Sequence, residues 1–235
     1  QLAYLDDLHH LATEDVLKCS YVRAIELMAL HGSVINEAKC KIYAPGFDVD
    51  AEWWEARGVK VIPRDQGLKI VGGYVSTNNA WISAKLVDDV TKLEKHYSKI
   101  VELSKSNLQL AMQLVRQVHA ARATHLWRWH TPAQSAAAAA LFDVGMRRLF
   151  NGMLAHHRDP SLGQLTDDEY DKAMLPLRHG GCGLRSATNT RDQAFVASLA
   201  SALNQGIGAR YSPLTPILGD IEAHLADAGA EVLPR

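Results

Sequence analysis

The sequence has few cysteines, no long apolar run and almost no net charge. Its three cysteines, at positions 19, 40 and 182, form no Cys-x-x-Cys pair. They argue against a disulfide framework and favour an intracellular compartment, cytoplasmic or nuclear. No apolar run approaches the roughly 18 residues that a membrane-spanning helix needs, and the start lacks the zones of a signal peptide. We therefore expect no membrane partner.

The remaining composition is that of an ordinary globular protein. Hydrophobic residues make up 47% and charged residues 22% of the 235 residues, which argues against collagen-like and charge-driven disordered chains. The length allows one large domain or two small ones with a buried core. The chain begins on Gln1 within an apolar run and without an initiating Met, so we expect a fragment of a longer protein.

The near-zero net charge hides an uneven distribution along the chain. Residues 1–77 hold 8 basic and 11 acidic side chains, residues 78–150 hold 10 and 5, and residues 151–235 hold 7 and 10. A basic middle segment therefore lies between two acidic ones. This asymmetry keeps an anionic partner, such as nucleic acid, open for the middle segment.

Strand and helix signals alternate in the first third of the chain. Short β-branched runs flanked by Pro or Gly favour strands, and Thr or Asp directly before a periodic apolar stretch favours a helix N-terminus. The predicted elements are two strands within residues 2–8, strands over 59–62 and 68–76, and helices from Thr13 to about His31 and after Asp50.

After Asn78 the apolar residues recur at helical spacing, beginning with Leu86, Val90, Leu93, Tyr97 and Ile100. Further helices are predicted over 107–128 with Leu108, Leu114, Val115 and Val118 buried, from Thr131 to about His156, after Thr166, over 188–204 and over 214–227. The sequence thus predicts an α+β fold. A small antiparallel sheet with helices covers residues 1–77, and a mostly α-helical region covers residues 78–235.

Asp6 and Asp7 are the sharpest chemical feature of the sequence. Two adjacent carboxylates at a turn between strands offer oxygen ligands to Mg²⁺, a hard cation held by one or two carboxylates plus substrate phosphates. Two such ions align an attacking hydroxyl and a leaving pyrophosphate in nucleotidyl transfer. Asp-Asp is also a common turn sequence, and the dipeptide alone favours that structural interpretation.

Four runs of the sequence follow one another in the order of a known polymerase family. They are Ala3-Tyr4-Leu5-Asp6-Asp7, residues 32–40 with a Lys three positions after an Asn, residues 68–74, and residues 175–184. They resemble the Tyr-x-Asp-Asp hairpin of the palm, the segment after it, the primer-grip hairpin and a downstream Gly-Gly-x-Gly run of reverse transcriptases of non-LTR retrotransposons.

The resemblance implies an RNA-directed DNA polymerase that acts by two-metal-ion nucleotidyl transfer. Its partners would be an RNA template, a DNA primer and nucleoside triphosphates. It assigns catalysis to Asp6, Asp7 and Lys39, Mg²⁺ binding to Asp6 and Asp7, and a primer grip to Gly72, Gly73 and Tyr74. The structural alternatives are a turn at Asp6-Asp7, a surface Lys39 paired with an acid such as Glu37, and a simple bulge at Gly72-Gly73.

Lys92, Lys95 and Lys99 are the best candidates for nucleic-acid binding in the basic segment. Their spacing of 3 and 4 places them on one helix face. In a polymerase thumb they would contact phosphates of the template–primer duplex. The alternative is an ordinary solvated helix face.

Other polar features favour structural roles. The pairs His9-His10 and His156-His157 have no suitably spaced ligand to complete a zinc site. The run Gly180-Gly181-Cys182-Gly183 lacks the Lys and Ser/Thr of a phosphate loop, so we interpret it as a structural turn.

The polymerase family also needs a metal-binding Asp upstream of its Tyr-x-Asp-Asp motif, and only three residues precede Tyr4. We therefore expect the C-terminal part of a palm, 1–77, and a thumb with downstream helices, 78–235, inactive alone. Two alternatives stay open. One is a non-catalytic helical module that binds nucleic acid or a partner and retains decayed polymerase motifs. The other is a helical protein that resembles the family by chance.

Overall fold

The computed structural model describes residues 2–4 and 7–204. These residues are mostly α-helical with short strands, which confirms the α+β class. The chain divides into two compact units, Gln1–Ile82 (unit 1) and Ser83–Arg235 (unit 2). In the described part of the chain, no helix has both the length and the apolar character that crossing a membrane requires.

Unit 1 contains short strands and two α-helices. Its elements are β1 (Leu2–Tyr4), β2 (Asp7–His9), α1 (Glu14–Leu30), a 3₁₀ turn (Glu37–Lys39), β3 (Lys41–Tyr43), α2 (Ala51–Glu55), β4 (Lys60–Ile62), β5 (Leu68–Ile70) and β6 (Gly73–Val75). The predicted starts of both helices are confirmed, since Thr13 and Asp50 are the N-cap residues. The Asp50 carboxylate accepts a hydrogen bond from the Trp53 backbone N–H at 3.1 Å.

The strands of unit 1 form three separate pairs, and the prediction of one small antiparallel sheet is wrong in this respect. β1–β2 and β5–β6 are antiparallel, whereas β3–β4 is parallel, with Lys41 opposite Lys60 and Tyr43 opposite Ile62. A parallel pair needs a crossover of about a dozen residues or more. Residues 44–59, which include α2, provide that crossover.

The core of unit 1 forms where α1 and α2 cover the parallel pair. Ile42, Trp54 and Val59 are buried there. Glu14 of α1 ties the two helices together, because its carboxylate accepts from Trp54 Nε1 at 3.1 Å and from the Asp50 backbone N–H at 2.8 Å. Both helices are thereby fixed over β3 and β4.

Unit 2 is helical. Its elements, together with the helix that enters it, are α3 (Asn79–Leu93), a 3₁₀ turn (Glu94–His96), α4 (Tyr97–Ser106), α5 (Leu108–Leu114), a π-helical turn (Val115–His119), α6 (Ala120–Trp129), α7 (Pro132–Leu154), α8 (Asp167–Met174) and α9 (Ala187–Asn204). α7 packs against α4 and α9, and α9 also packs against α6. The predicted helix over 214–227 lies outside the described residues.

The apolar stripe predicted from Leu86 to Ile100 faces the core of unit 2. Leu86, Val90, Tyr97 and Ile100 are buried, which confirms the stripe. The helix starts predicted at Thr131 and Thr166 are also confirmed, and each is closed by a capping box.

The segment predicted as one helix over 107–128 contains the π-helical turn Val115–His119. Val118, predicted to be buried, is 45% exposed, whereas His119 is buried. A π turn holds one residue more than an α-helical turn. The burial pattern therefore moves by one position, which places His119 rather than Val118 against the core.

Asp143 of α7 holds the N-terminus of α9. Its carboxylate accepts from the backbone N–H groups of Ala187 at 2.6 Å and Thr188 at 3.0 Å, and from Ser186 Oγ at 2.7 Å. A carboxylate at this place satisfies donors that a helix start otherwise leaves unpaired. α9 is thus fixed on α7.

Candidate functional site

Tyr4 and Asp7 of the Tyr-Leu-Asp-Asp segment lie on a pair of antiparallel strands. β1 and β2 align Leu2 with His9, Ala3 with Leu8 and Tyr4 with Asp7. The backbone of Asp7 is in β2, whereas Asp6 lies outside the described residues. The strand pairing predicted for this segment is confirmed, and the metal-binding role of the two carboxylates stays a prediction.

Lys39 ends the 3₁₀ turn Glu37–Lys39 and is exposed. Its backbone N–H donates to the Asn36 carbonyl at 3.0 Å, so the Asn and Lys of the quoted segment stabilise the same turn. Among the described residues, the Lys39 ammonium makes no ion pair, with Glu37 or with any other acid. The role of Lys39 near an incoming nucleotide stays a prediction.

The segment that resembles a primer grip forms the hairpin β5–β6. Ile70 pairs with Gly73 and Leu68 with Val75, so Val71 and Gly72 form a two-residue turn. Both turn residues have positive φ, 47° at Val71 and 86° at Gly72, as a type I′ hairpin turn requires. Gly adopts this conformation without strain, whereas a β-branched residue rarely does.

Tyr74 packs inside unit 1. Lys69 Nζ donates to the Tyr74 hydroxyl at 3.2 Å and lies 4.9 Å from the ring centroid. The Tyr74 ring also meets the Trp81 ring edge-on at 5.8 Å. These contacts give Tyr74 a packing role and leave Gly72, at the tip of the hairpin, as the more accessible of the three predicted primer-grip residues.

Replacing Val71 with asparagine is expected to stabilise the hairpin by about 1 kcal/mol, because asparagine tolerates positive φ and is favoured in type I′ turns. Amide hydrogen exchange of residues 68–75 measures the change. Val75→Asn is the matched control, since Val75 is an exposed valine of β6 without positive φ. If both variants weaken exchange protection equally, the proposed strain at Val71 is absent.

The three predicted nucleic-acid-binding lysines span the end of α3, the 3₁₀ turn and α4. Lys92, Lys95 and Lys99 are all exposed. Lys92 Nζ forms an ion pair with Asp89 at 2.9 Å. Lys95 and Lys99 have no carboxylate partner in the described part of the chain.

Sequence reasoning missed that His96 and Arg122 meet beside these lysines. Arg122 Nη1 lies 2.9 Å from His96 Nε2. A guanidinium only donates, so Nε2 accepts and the proton of the neutral imidazole is on Nδ1. Desolvation, followed by the charges of Arg122, Lys95 and Lys99, lowers the pKa of His96. No local signal links residues 26 positions apart.

Sequence reasoning also missed that His119 is a buried titratable side chain. The side chain is 3% exposed, and its Nε2 has no hydrogen-bond partner among the described residues. Its ring stacks on Phe142 with centroids 5.8 Å apart and meets Tyr97 edge-on at 5.2 Å. Burial, followed by the charges of His96 and Arg122, lowers its pKa to about 4.

A cleft of about 790 Å³ in unit 2 is lined by three arginines whose charge is compensated. Arg147 pairs with Asp167 at 2.6 Å, Arg148 with Glu94 at 3.1 Å and Arg158 with Glu169 at 2.8 Å. The cleft therefore presents less net positive charge than the surface around His96.

The run Gly180-Gly181-Cys182-Gly183 forms a structural turn, as predicted. The backbone N–H of Cys182 donates to the Ala173 carbonyl at 2.8 Å, and that of Gly183 donates to the Leu175 carbonyl at 2.9 Å. Arg116 Nη1 reaches the Cys182 carbonyl at 3.4 Å. The turn thus connects the end of α8 to the helical core.

Across residues 2–4 and 7–204, no three His, Cys, Asp or Glu side chains come together as a metal site would require. The side chains of Asp6 and Asp7 are outside that description. Their carboxylates have the chemistry that Mg²⁺ prefers, and this donor chemistry is the basis for considering them further.

Comparison of the sequence with models of protein families, with curated proteins and with solved structures finds no match. The resemblance to reverse transcriptases therefore depends on the quoted motifs, their order and the elements that carry them.

Proposed function

We propose that this chain is part of an RNA-directed DNA polymerase of the non-LTR retrotransposon type. Unit 1 would be the C-terminal part of the palm, and unit 2 the thumb with downstream helices. The single observation that carries the proposal is the strand pairing of Tyr4 with Asp7, because a Tyr-x-Asp-Asp motif needs a hairpin to present its carboxylates.

The order of elements in unit 1 also supports the proposal. The strand pair β1–β2 is followed by the long helix α1, by the turn that carries Lys39 and by the hairpin β5–β6. This order matches the order of the motifs that resemble the family. Lys39 would act near the incoming nucleotide, where an exposed ammonium stabilises developing negative charge.

Asp6 and Asp7 would hold Mg²⁺ in the polymerase. When bound, the ion supplies neutralisation of phosphate charge during nucleotidyl transfer. The part of this chain in that chemistry would be to supply the two carboxylates, and the backbone of Asp7 belongs to β2.

Unit 2 would bind the template–primer duplex. Lys92, Lys95 and Lys99 are exposed on consecutive turns of α3, the 3₁₀ turn and α4. Contacts from such lysines to phosphates supply affinity that does not depend on nucleic-acid sequence.

The second candidate function is a non-catalytic nucleic-acid-binding module that retains polymerase motifs. The observation that favours it is the positive surface around His96, which belongs wholly to unit 2 and needs nothing from Asp6 or Asp7. The two candidates share nucleic-acid binding and differ in nucleotidyl transfer.

Binding of a fluorescein-labelled RNA–DNA hybrid to the 235-residue chain tests the shared function. We expect affinity to fall with salt, and we expect the K95A/K99A variant, which removes the two lysines of the trio without an acidic partner among the described residues, to reduce the log–log salt slope by roughly 0.9 per lost phosphate contact. The matched control is K85A/K105A, since these lysines pair with Asp88 and Glu102 in the same helices. Failure of the chain to bind the hybrid would contradict both candidate functions.

Mg²⁺-dependent primer extension separates the two candidates. We expect no extension by the 235-residue chain, because Asp6 and Asp7 would lack the further carboxylate that the family uses. A longer chain that includes the upstream reading frame is expected to extend the primer and to lose this activity in Asp6→Asn. An inactive longer chain that binds the hybrid would favour the non-catalytic module.

A further inference from the structure

The surface around His96 carries positive charge that no carboxylate of the described residues offsets. Lys95 belongs to the 3₁₀ turn, Lys99 to α4 and Arg122 to α6, and all three side chains are exposed. Lys95 is next to His96 in the chain, Lys99 follows His96 by about one helical turn, and Arg122 Nη1 lies 2.9 Å from His96 Nε2. Within residues 7–204 none of the three forms an ion pair with an acid.

The acidic residues of the same region are already paired elsewhere. The pairs are Asp88 with Lys85 at 3.7 Å, Asp89 with Lys92 at 2.9 Å, Glu94 with Arg148 at 3.1 Å, and Glu102 with Lys105 at 2.5 Å. No acid of residues 83–106 is therefore left to neutralise the surface around His96. A polyanion would supply the missing negative charge.

His96 orients the Arg122 guanidinium. The imidazole accepts one N–H of the guanidinium at 2.9 Å, and the remaining donors stay available. A guanidinium fixed on one side presents a planar pair of donors that matches two phosphate oxygens. The same pair of donors also fits a carboxylate, and it is the three charges of Lys95, Lys99 and Arg122 together that favour a polyanionic phosphodiester chain over a single carboxylate or an apolar ligand.

We propose that Lys95, His96, Lys99 and Arg122 form a nucleic-acid phosphate site in which His96 takes up a proton when the phosphate binds. The inference rests on the proposed function, because it names the chemistry by which unit 2 holds a nucleic-acid backbone. It adds His96 and Arg122 to that function and makes binding depend on pH.

The proton uptake follows from the charges in the site. Desolvation and the three cations disfavour a charged imidazole by lowering the pKa of His96, so this side chain is neutral in the free protein at about pH 7.5. A phosphate among the cations offsets their field and stabilises the imidazolium. Because protonation is then easier in the complex than in the free protein, linkage requires tighter binding as pH falls.

Two other groups that act near His96 do not supply this pH dependence. His119, in the π-helical turn, has a pKa lowered to about 4 by burial and stays neutral between about pH 6.0 and 7.5. Arg148 of α7 is held by Glu94 at 3.1 Å, so its charge is compensated within that pair.

Fluorescence anisotropy with a labelled RNA–DNA hybrid of about 16 base pairs tests the site at about pH 7.5 and pH 6.0. We expect wild-type binding to tighten roughly three- to tenfold at the lower pH. His96→Gln keeps an acceptor for Arg122 but does not titrate, so it is expected to bind the hybrid without tightening at the lower pH. Circular dichroism at both pH values checks folding.

Arg122→Ala is expected to weaken binding roughly tenfold at about pH 7.5. The matched control is Arg128→Ala, another exposed arginine of α6, expected to change the Kd by less than about twofold. Calorimetry in two buffers of different ionisation enthalpy measures proton uptake, which is expected for wild type and reduced in His96→Gln.

Tightening at the lower pH that persists in His96→Gln would overturn this inference and leave the proposed function standing. Equal loss of affinity in Arg122→Ala and Arg128→Ala would also overturn it. Binding to phosphatidylserine vesicles in place of the hybrid, or no hybrid binding at either pH, would overturn the inference together with the proposed nucleic-acid function. If a longer chain binds the hybrid in a pH-dependent way but does not extend a primer, the inference is supported and the polymerase function is contradicted.

Discussion

Replacing His119 with phenylalanine is expected to remove much of the acid sensitivity of unit 2 and to raise its free energy of unfolding by about 2–3 kcal/mol near pH 4.5. His119 is buried between Phe142 and Tyr97, and its Nε2 has no partner in the described part of the chain. Phenylalanine preserves both ring contacts and removes the unpaired nitrogen. A smaller gain of about 1 kcal/mol is therefore expected at pH 7 as well.

The direction of the pH effect follows from where His119 binds its proton. Burial lowers its pKa from 6.5 to about 4 in the folded protein. Between these two values the unfolded chain binds a proton that the folded chain excludes. The stability that neutral His119 contributes is thus present above about pH 6.5 and is lost as pH falls towards about 4.

Urea denaturation followed by circular dichroism at about pH 7.0, 5.5 and 4.5 measures this effect. His125→Phe is the matched control, because His125 is an exposed histidine of α6 and is expected to leave the pH dependence of unfolding unchanged. Every other titratable group is common to wild type and His119→Phe, so the difference between these two proteins reports on His119. A pH dependence equally steep in wild type and His119→Phe would show that His119 is not excluded from protonation by burial.

Elements with a strong local signal were predictable from the sequence. The starts of α1 and α2 follow from Thr13 and Asp50, and the start of α7 follows from Thr131 before Pro132. In each case the residues that determine the helix start are a few positions apart. Local hydrogen bonding is sufficient to specify these boundaries.

Features that depend on distant residues were not predictable in this way. The parallel alignment of β3 with β4 depends on how residues 44–59 cross over, and short β-branched runs do not specify strand direction. The π-helical turn at Val115–His119 adds a residue to a pattern that otherwise fits one α-helix. That single insertion left Val118, which was predicted to be buried, exposed and placed His119 in the core.

The candidate phosphate surface was only partly predictable for the same reason. Spacing identified Lys95 and Lys99 as neighbours on a helix, but it could not show which lysines have acidic partners. For example, Glu94 pairs with Arg148, which is 54 positions away in the sequence, so local spacing does not reveal that Glu94 is neutralised. The approach of Arg122 to His96 likewise depends on packing between helices, so tertiary structure decides which charges stay uncompensated.

Gly181→Ala is expected to destabilise unit 2 by about 3–5 kcal/mol, although the substitution adds only one methyl group. A Cβ at residue 181 would overlap the carbonyl oxygen of Leu175 and crowd its carbonyl carbon and Cβ. Backbone atoms cannot move aside as the end of a flexible side chain can. The turn must therefore open, which breaks the hydrogen bonds from Cys182 to Ala173 and from Gly183 to Leu175.

Hydrogen exchange of residues 173–185, together with thermal unfolding, measures this loss. Gly163→Ala is the matched control, because Gly163 has a φ of 61° and a methyl group added there would meet no described atom within 4 Å. It is expected to cost about 1–3 kcal/mol from backbone conformation alone, because a φ of 61° with a ψ of −150° is a conformation that essentially only Gly adopts. If Gly181→Ala costs no more than Gly163→Ala, the turn accommodates a side chain, and the Gly-Gly run is not required by the close approach to Leu175. Preserved exchange protection at Cys182 and Gly183 would lead to the same conclusion, because both amides depend on that approach.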